Sequence, residues 1–185
     1  MRQTEYVILG LLSESPMSGY QIKKLVDIRF KFFWSESFGQ IFPALKSLSA
    51  NGLVEAVEPA ERDESQKRSP KKTYRLTEAG IKALRDWLKL PVERESYRLE
   101  ILLKLYFANF AEPQVMIEHV EKFQKAHEQE LQILEMFQHE LEGIIDQDEN
   151  HPQILRVIDF GQKANRAYLD WSRETLDFFE RRLEK

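Results

Sequence analysis

Residues 37–54 read SFGQIFPALKSLSANGLV, and this stretch decides the fold. Ser37 and Gln40 have the spacing of a capping box, in which each side chain pairs with a free backbone amide at a helix N-terminus. The apolar residues that follow lie three and four positions apart, as on one face of a helix: Ile41, Leu45 and Leu48. Asn51-Gly52 indicates the helix end, because both residues tolerate left-handed backbone angles. The stretch predicts a short helix with a buried rear and a polar front.

Pro43 limits where this helix begins. Proline has no backbone N–H and clashes with the preceding turn, so it is comfortable only in the first turn of a helix. We therefore expect the helix to begin near Gly39 or Gln40.

The patterns around this stretch predict a small domain over residues 1–90. Helical spacing of apolar residues predicts helices at 4–13 and, after a capping box at Ser18–Gln21, at about 19–30. Residues 53–57 and 71–76 have the pattern of strands, and a helix at 78–89 follows a capping threonine. The order is that of a winged helix-turn-helix: mainly α, with a small two-stranded β wing.

In a helix-turn-helix, the second helix enters the major groove of DNA, which is about 12 Å wide and admits one helix. The polar residues on the front of the 37–54 helix are then the candidates for DNA contact: Ser37, Gln40, Lys46 and Ser47. Glutamine can pair with adenine through two hydrogen bonds, and lysine can meet guanine or a phosphate.

The segment between the two predicted strands adds positive charge. Residues 65–72 hold four cations and no acid: Lys67, Arg68, Lys71 and Lys72. A basic hairpin tip beside a groove-sized helix suits the sugar-phosphate backbone. Two alternatives stay open: a solvated tip, and a winged helix that binds protein instead of DNA.

Residues 91–185 predict a different, helical domain. Long amphipathic helices are expected at about 99–110, 112–145 and 153–182, and a second copy of the chain can cover the apolar faces that one copy leaves bare. The predicted dimerisation residues are Val120, Phe123, Leu131, Leu134, Tyr168, Trp171 and Phe178. An intramolecular bundle is the alternative.

Charge divides the chain in the same place. The net charge of −4 combines +4 in residues 1–90 with −8 in residues 91–185, which favours a polyanionic partner for the first part. The absence of cysteine excludes disulfides, and no segment has the roughly 20 apolar residues of a membrane span. We expect a cytoplasmic protein that does not enter membranes.

Several motifs together resemble the PadR family of bacterial transcriptional regulators. In the first half they are Ser18-Gly19-Tyr20, Phe33-Trp34, Gln40-Ile41-Phe42-Pro43-Ala44-Leu45, Gly52-Leu53-Val54 and Tyr74-Arg75-Leu76-Thr77-Glu78-Ala79-Gly80. In the second half, Arg98-Leu99-Glu100-Ile101-Leu102-Leu103-Lys104 and Ala167-Tyr168-Leu169-Asp170-Trp171 resemble the helical dimerisation domain of the longer members, which include virulence activators.

The resemblance implies a homodimeric winged-helix regulator, in most cases a repressor, on a near-palindromic DNA operator. It adds Tyr20, Phe42 and Pro43 to the candidate DNA-binding residues. Phe42 departs from the family pattern, which usually has tyrosine there, so a phosphate contact through that hydroxyl is absent. In some members the resemblance also implies release by a small aromatic acid, and other members act without a ligand or as activators.

The second half holds 11 aromatic residues, enough to line a pocket for a flat ligand. The candidate effector pocket consists of Arg98, Phe107, Tyr168 and Trp171, with Arg98 or Arg166 to bind a carboxylate. The alternative is that these aromatic residues form the dimer core.

Enzyme motifs are absent from the sequence. Phosphate-binding, dinucleotide-binding, zinc-protease and nucleophile-elbow patterns do not occur. A di-metal helical bundle needs paired Glu-x-x-His motifs, whereas His127 follows Gln124 and His139 follows Met136. We expect no catalysis, no metal and no cofactor.

Overall fold

The computed structural model describes residues 1–57, 72–92 and 98–183 of the chain, which forms two compact units, Met1–Arg94 and Glu95–Lys185. Within the described residues, the first unit contains four α-helices and three short strands. In chain order they are α1 (Gln3–Leu12), β1 (Met17–Ser18), α2 (Gly19–Leu25), a π-helical turn (Val26–Phe30), α3 (Phe38–Ala50), β2 (Val54–Val57), β3 (Thr73–Leu76) and α4 (Glu78–Leu88).

Three helices enclose the core of this unit. The rear face of α3 packs against α1 and α2, and its apolar residues join theirs in one buried cluster. The side chains at the centre of the cluster are almost fully buried: Ile8, Leu9, Leu11, Ile22, Val26, Ile41, Leu45 and Leu48. Burying a side chain of this size contributes about 1.5–3 kcal/mol, so the core fixes the orientation of α3.

The sheet has one strand more than predicted. Its order is β1-β3-β2 and both pairings are antiparallel, with Met17 opposite Tyr74 and Val54 opposite Leu76. The additional strand forms because the residue before a helix is extended: Ser18 caps α2 with φ −81° and ψ 159°. Met17 is buried beside it, so the chain enters α2 along the edge of β3.

The predicted start of α3 was wrong by one or two residues. The helix begins at Phe38, which places Pro43 in its second turn rather than its first. The carbonyl of Gly39 therefore has no i+4 amide as a partner. Gly39 is exposed, so water can bind this carbonyl and the proline is tolerated.

The C-terminal end of α3 is locked to the start of α4. Leu53 N–H donates to Leu48 O and Gly52 N–H donates to Ser49 O, the two bonds of a Schellman motif, and Gly52 has the required φ of 68°. The Thr77 hydroxyl, which caps α4, donates to the carbonyls of Gly52 and Leu53.

The second unit is an antiparallel pair of long helices with a shorter one. It contains α5 (Glu100–Tyr106), a 3-10 turn (Ala108–Phe110), α6 (Pro113–Glu142), a second 3-10 turn (Ile145–Gln147) and α7 (His151–Leu183). The predicted single helix over 99–110 thus ends early. The last helix, α7, begins at His151, two residues before the predicted start at about residue 153, and Nδ1 of His151 lies 2.8 Å from Ile144 O.

Three faces run along α7. One face is buried against α6 and carries Ile158, Gly161, Gln162, Asn165, Ser172 and Phe179. A second, apolar face carries Val157, Phe160 and Phe178, which are 42%, 66% and 53% exposed. The third face is charged. The sequence pattern predicted the apolar stripe but not the buried face, because that face contains polar residues.

The polar residues of this buried face are hydrogen-bonded. Asn165 Nδ2 donates to Gly161 O, Ser172 Oγ donates to Tyr168 O, and Gln162 Nε2 donates to Gln138 Oε1. Buried polar groups are tolerated when they are paired in this way. In the described part of the chain, no helix combines the length and the apolar character needed to cross a membrane.

The contact between α4 and Leu53, which follows α3, predicts a strong effect at Gly80. A Cβ at this position would lie 2.2 Å from the carbonyl oxygen of Leu53, which is backbone and cannot move aside easily. We expect Gly80→Ala to destabilise the unit by about 1–3 kcal/mol or more, measured by thermal or urea unfolding.

Gly10→Ala is the matched control for this experiment. A Cβ on Gly10 would meet nothing within 4 Å, and alanine is favoured over glycine inside a helix by about 0.5–1 kcal/mol. Equal stability of the Gly80→Ala variant and the parent protein would contradict the close packing of α4 on the backbone of Leu53.

Candidate nucleic-acid interface

The exposed side of α3 is opposite its buried rear. The front residues are all exposed: Phe38, Gly39, Gln40, Phe42, Pro43, Lys46 and Ser49. On a helical wheel, Gly39, Pro43 and Lys46 occupy the centre of this front. Phe38 and Phe42 lie on the edge toward α2, and Gln40 lies on the opposite edge. Of these three central residues, Lys46 is the one whose side chain can form hydrogen bonds.

The loop before α3 is anchored by a buried carboxylate. Glu36 is only 4% exposed and accepts hydrogen bonds from Thr4 Oγ1 (3.1 Å) and Trp34 Nε1 (2.9 Å). Both oxygens of the carboxylate thus have partners, on α1 and on the loop itself. This contact holds the N-terminal end of α3 against α1, and the sequence analysis did not identify it.

Gln40 forms the predicted capping box with Ser37. Its Oε1 accepts hydrogen bonds from the Ser37 backbone N–H and from the Ser37 hydroxyl, each at 2.8 Å. Pairing with adenine through two hydrogen bonds needs both the oxygen and the nitrogen of the glutamine amide. In this structure only Nε2 remains available, so the predicted pairing requires the capping box to open.

Ser47 faces α1 rather than the front of α3. Its hydroxyl approaches the carboxylate of Glu5 on α1 closely enough to lower the pKa of that group. Glu5 is 5% exposed and accepts the Arg2 backbone N–H at 2.7 Å. The prediction that Ser47 contacts DNA is therefore not supported by its position. Sequence spacing placed it on the edge of the front, and only the fold brings Glu5 beside it.

These contacts shift the ionisation of Glu5. Burial acts to raise the pKa of Glu5, but the Arg2 backbone N–H, the Ser47 hydroxyl and the positive charges of Arg2 and the N-terminus outweigh it. The pKa consequently lies below its ordinary value of 4.5.

An exposed aromatic cluster lies at the N-terminal end of α3, and we call Tyr20, Phe38 and Phe42 the aromatic platform. The ring centroids of Tyr20 lie 5.3 Å from Phe38 and 5.5 Å from Phe42, and those of Phe38 and Phe42 are 5.9 Å apart. Sequence analysis named Tyr20 and Phe42 but missed Phe38. The i, i+4 spacing of the two phenylalanines on the exposed face was the available signal.

Gly19 lies behind the platform and allows α2 to approach α3 closely. A Cβ there would lie 2.7 Å from Phe42 Cε1 and 3.1 Å from Leu45 Cδ1. The side of the Phe42 ring that faces α2 is therefore packed, while 41% of the residue stays exposed.

The basic residues predicted beside α3 are only partly described. Lys46 and Lys72 are exposed, with Lys72 directly before β3. Lys67, Arg68 and Lys71 lie outside the described residues, and their role stays a prediction. Arg75 on β3 pairs with Glu55 on β2 at 2.7 Å.

The predicted effector residues do not form a single group. Tyr168 and Trp171 on α7 surround Phe123 on α6, with centroid distances of 5.7 and 5.6 Å. His127 also packs against Phe123 and Tyr168, at 4.2 and 4.6 Å.

The remaining effector candidates lie elsewhere. Phe107 lines a different, largely apolar depression of about 440 Å³ with Leu103, Lys104, Phe110 and Met116. Arg98 is exposed, and Arg166 pairs with Glu135 at 3.2 Å.

His127 has a defined hydrogen-bond role in this cluster. Its Nδ1 lies 2.6 Å from Asn165 Oδ1, while Asn165 Nδ2 donates to Gly161 O. Because the asparagine oxygen accepts, Nδ1 of His127 carries the proton and donates. Within the described residues, no group of three or more acidic or histidine side chains is placed to bind a metal ion.

The predicted dimerisation residues divide into buried and accessible ones. Val120 and Leu134 are 0% and 2% exposed within a single chain, so they belong to its own core and cannot offer surface to a partner. The prediction failed for these two because the stripe on α6 is already covered by α7. Phe123, Leu131, Tyr168 and Trp171 are half-buried, and Phe178 is exposed.

The contact between Ser47 and Glu5 predicts an acid-dependent loss of stability. The pKa of Glu5 is lower in the folded protein than its ordinary value of 4.5. The ionised Glu5 therefore stabilises the fold above pH 4.5, and this stabilisation disappears as the pH falls through the lowered pKa. We expect Ser47→Ala to lower the stability by up to about 1 kcal/mol at neutral pH and less at acidic pH, which flattens this dependence, measured by unfolding as a function of pH.

Ser49→Ala is the matched control, because Ser49 is an exposed serine on the same helix. If both alanine variants had the same stability and the same acid dependence as the parent, the Ser47 hydroxyl would have no effect on the ionisation of Glu5.

Two family models match the chain, one for each unit. The Transcriptional regulator PadR-like family matches residues 8–86, and the Virulence activator alpha C-term family matches residues 97–180. These matches confirm the resemblance seen in the motifs and the predicted fold class.

Known proteins give the same result. The Negative transcriptional regulator PadR of Bacillus subtilis is 36% identical over 109 residues, which are 58% of this chain and 57% of that protein. The chain spans about half the length of the curated relatives it matches. These relatives are transcriptional regulators, which confirms the prediction that the chain is not an enzyme.

Two solved structures of Bacillus subtilis PadR resemble the model along most of its length. The complex with operator DNA has a TM-score of 0.79 at 26% identity and covers 97% of this chain and 98% of that chain. The complex with p-coumaric acid has a TM-score of 0.68 at 23% identity, with coverage of 97% and 98%, and shows a similar fold.

Proposed function

Because this chain belongs to the PadR-like family of transcriptional regulators, we propose that it is a cytoplasmic, sequence-specific DNA-binding repressor that acts as a homodimer. Residues 1–90 bind DNA and residues 91–185 dimerise. The repressor role is proposed from the similarity to a negative regulator, and DNA as the partner from the similarity to a PadR–operator complex.

The observation that carries this proposal is the presentation of α3. Its rear face is buried, its N-terminal end is fixed through Glu36, and its front is exposed without an acidic side chain. Residues 19–50 hold five lysines and arginines against two acids, and one of those acids, Glu36, is buried. Such a surface suits the negatively charged major groove.

The proposed contacts to DNA are made by the basic residues and by Gln40. Lys46 and Lys72 bind phosphates or, for Lys46, a guanine edge, together with Lys67, Arg68 and Lys71 as predicted from the sequence. Gln40 contributes through its free Nε2 as a single donor, while its oxygen stabilises the start of α3.

The second copy of the chain binds the apolar face of α7. Val157, Phe160 and Phe178 lie along one side of this helix and are exposed in a single chain. Apolar residues repeated along one side of a long helix are stabilised when another helix covers them. Phe123, Leu131, Tyr168 and Trp171 lie close enough to the surface to extend this contact.

Release from DNA by a small aromatic acid is proposed from the similarity to PadR bound to p-coumaric acid. In this chain, the cluster of Phe123, His127, Tyr168 and Trp171 offers aromatic faces for such a ligand. A ligand there acts on DNA binding only if it binds the DNA-competent and DNA-incompetent states with different affinity.

The direct test is selection of bound duplexes from a random DNA library, followed by titration of the selected duplex at several salt concentrations. If the dimer neutralises about six to ten phosphates, its affinity falls about 10³- to 10⁵-fold between about 50 and 200 mM salt. Lys46→Ala should weaken binding and flatten this dependence. Failure to enrich any sequence, or an affinity that does not change with salt, would refute the DNA-binding proposal.

The dimer surface is tested with Phe160→Asp. A charge in an apolar interface without a partner is strongly unfavourable, so the variant should sediment as a 22.0 kDa monomer, whereas the parent sediments at about twice that mass. Asp177→Ala, an exposed change on the charged face of α7, is the control. A Phe160→Asp variant that remains dimeric would place the interface elsewhere.

A further inference from the structure

We infer that the aromatic platform reads thymine, by packing Phe42 and its neighbouring rings against the 5-methyl groups of A·T base pairs in the major groove. This inference rests on the proposed DNA-binding function and specifies which base feature α3 recognises.

The rings of the platform are exposed to solvent. Tyr20, Phe38 and Phe42 are 56%, 44% and 41% exposed, although each ring packs against the other two. Three large rings together on the surface leave apolar area in contact with water, and its burial on binding is favourable by the hydrophobic effect.

The platform lies at the N-terminal end of α3. The platform includes the first residue of α3 and the residue one turn later, at the end of the helix that contacts base edges in helix-turn-helix proteins. On its α2 side, the ring of Phe42 packs closely on Gly19, which has no Cβ, and this packing restricts the ring. A preorganised ring loses little conformational freedom when it binds, so it can discriminate between bases.

Few other side chains on α3 are available to form hydrogen bonds with base edges. The centre of the front carries Gly39 and Pro43, which have no polar side chain, and Lys46 as the one cation. Ser47 faces Glu5 on α1, and the oxygen of Gln40 accepts a hydrogen bond from Ser37. Discrimination through paired side-chain hydrogen bonds is therefore weak along the helix, and apolar contact is what the surface offers.

Thymine is the base that matches such a surface. Its 5-methyl group is the apolar feature that base pairs present in the major groove, and phenylalanine is among the side chains that contact it. Lys23 lies beside the platform, with its Nζ 5.8 Å from the centroid of Phe38. Its ammonium group is paired with the carboxylate of Asp27, so a phosphate beside the rings would have to replace this exposed ion pair.

The experiment changes the DNA and leaves the protein intact. In the duplex selected from the random library, each thymine is replaced in turn by deoxyuridine, which lacks only the 5-methyl group. We expect at least one position in each half-site where this exchange weakens binding by the full-length protein about four-fold, equivalent to ~0.8 kcal/mol for one buried methyl group.

Phe42→Ala then assigns the effect to the platform. The variant should bind the thymine and deoxyuridine duplexes with equal affinity at that position, whereas Lys46→Ala should weaken both duplexes alike and keep the four-fold ratio. Circular dichroism of each variant checks that α3 is still folded.

Two results would overturn the inference without affecting the proposed function. One is a selected duplex in which no thymine is sensitive to loss of its methyl group, and the other is a sensitivity that Phe42→Ala, Phe38→Ala and Tyr20→Ala all retain. If the library yields no bound duplex at all, or the platform proves to bind a protein, then both the inference and the DNA-binding proposal fail.

Discussion

Burial of the rear face of α3 is the constraint on which the candidate site depends. Ile41, Leu45 and Leu48 are packed with residues of α1 and α2, and together they contribute about 5–9 kcal/mol as an upper estimate. Because a helix has a fixed angle between successive residues, burying these three determines which residues face outward. On α3, the two phenylalanines of the platform, Pro43 and Lys46 are exposed as a consequence of that packing.

Two carboxylates refine this orientation from inside. Glu5 accepts a hydrogen bond from Arg2 and lies beside Ser47, and Glu36 accepts hydrogen bonds from Thr4 and Trp34. A buried carboxylate is costly unless it is hydrogen-bonded, so each of these groups specifies a geometry as well as adding stability. Both also direct negative charge inward, away from the front that is proposed to meet DNA.

The second unit shows why an apolar stripe alone does not identify an interface. On α7, the face buried against α6 includes Gln162, Asn165 and Ser172, whereas Val157 and Phe160 face outward. Polar residues can occupy the buried face because each finds a hydrogen-bond partner there. The apolar residues left outside are then the ones that a second copy of the chain can cover.

The sequence by itself determined the order of helices and strands, the capping boxes, the helix end at Asn51-Gly52 and the buried residues of α3, because these depend on local spacing and backbone preference. It did not reveal the strand at Met17–Ser18, the approach of Ser47 to Glu5, the contact of Gly19 with Phe42 or the polar face of α7. The first three features join residues far apart in the chain, and the last is defined by packing on α6, so each exists only once the helices have packed.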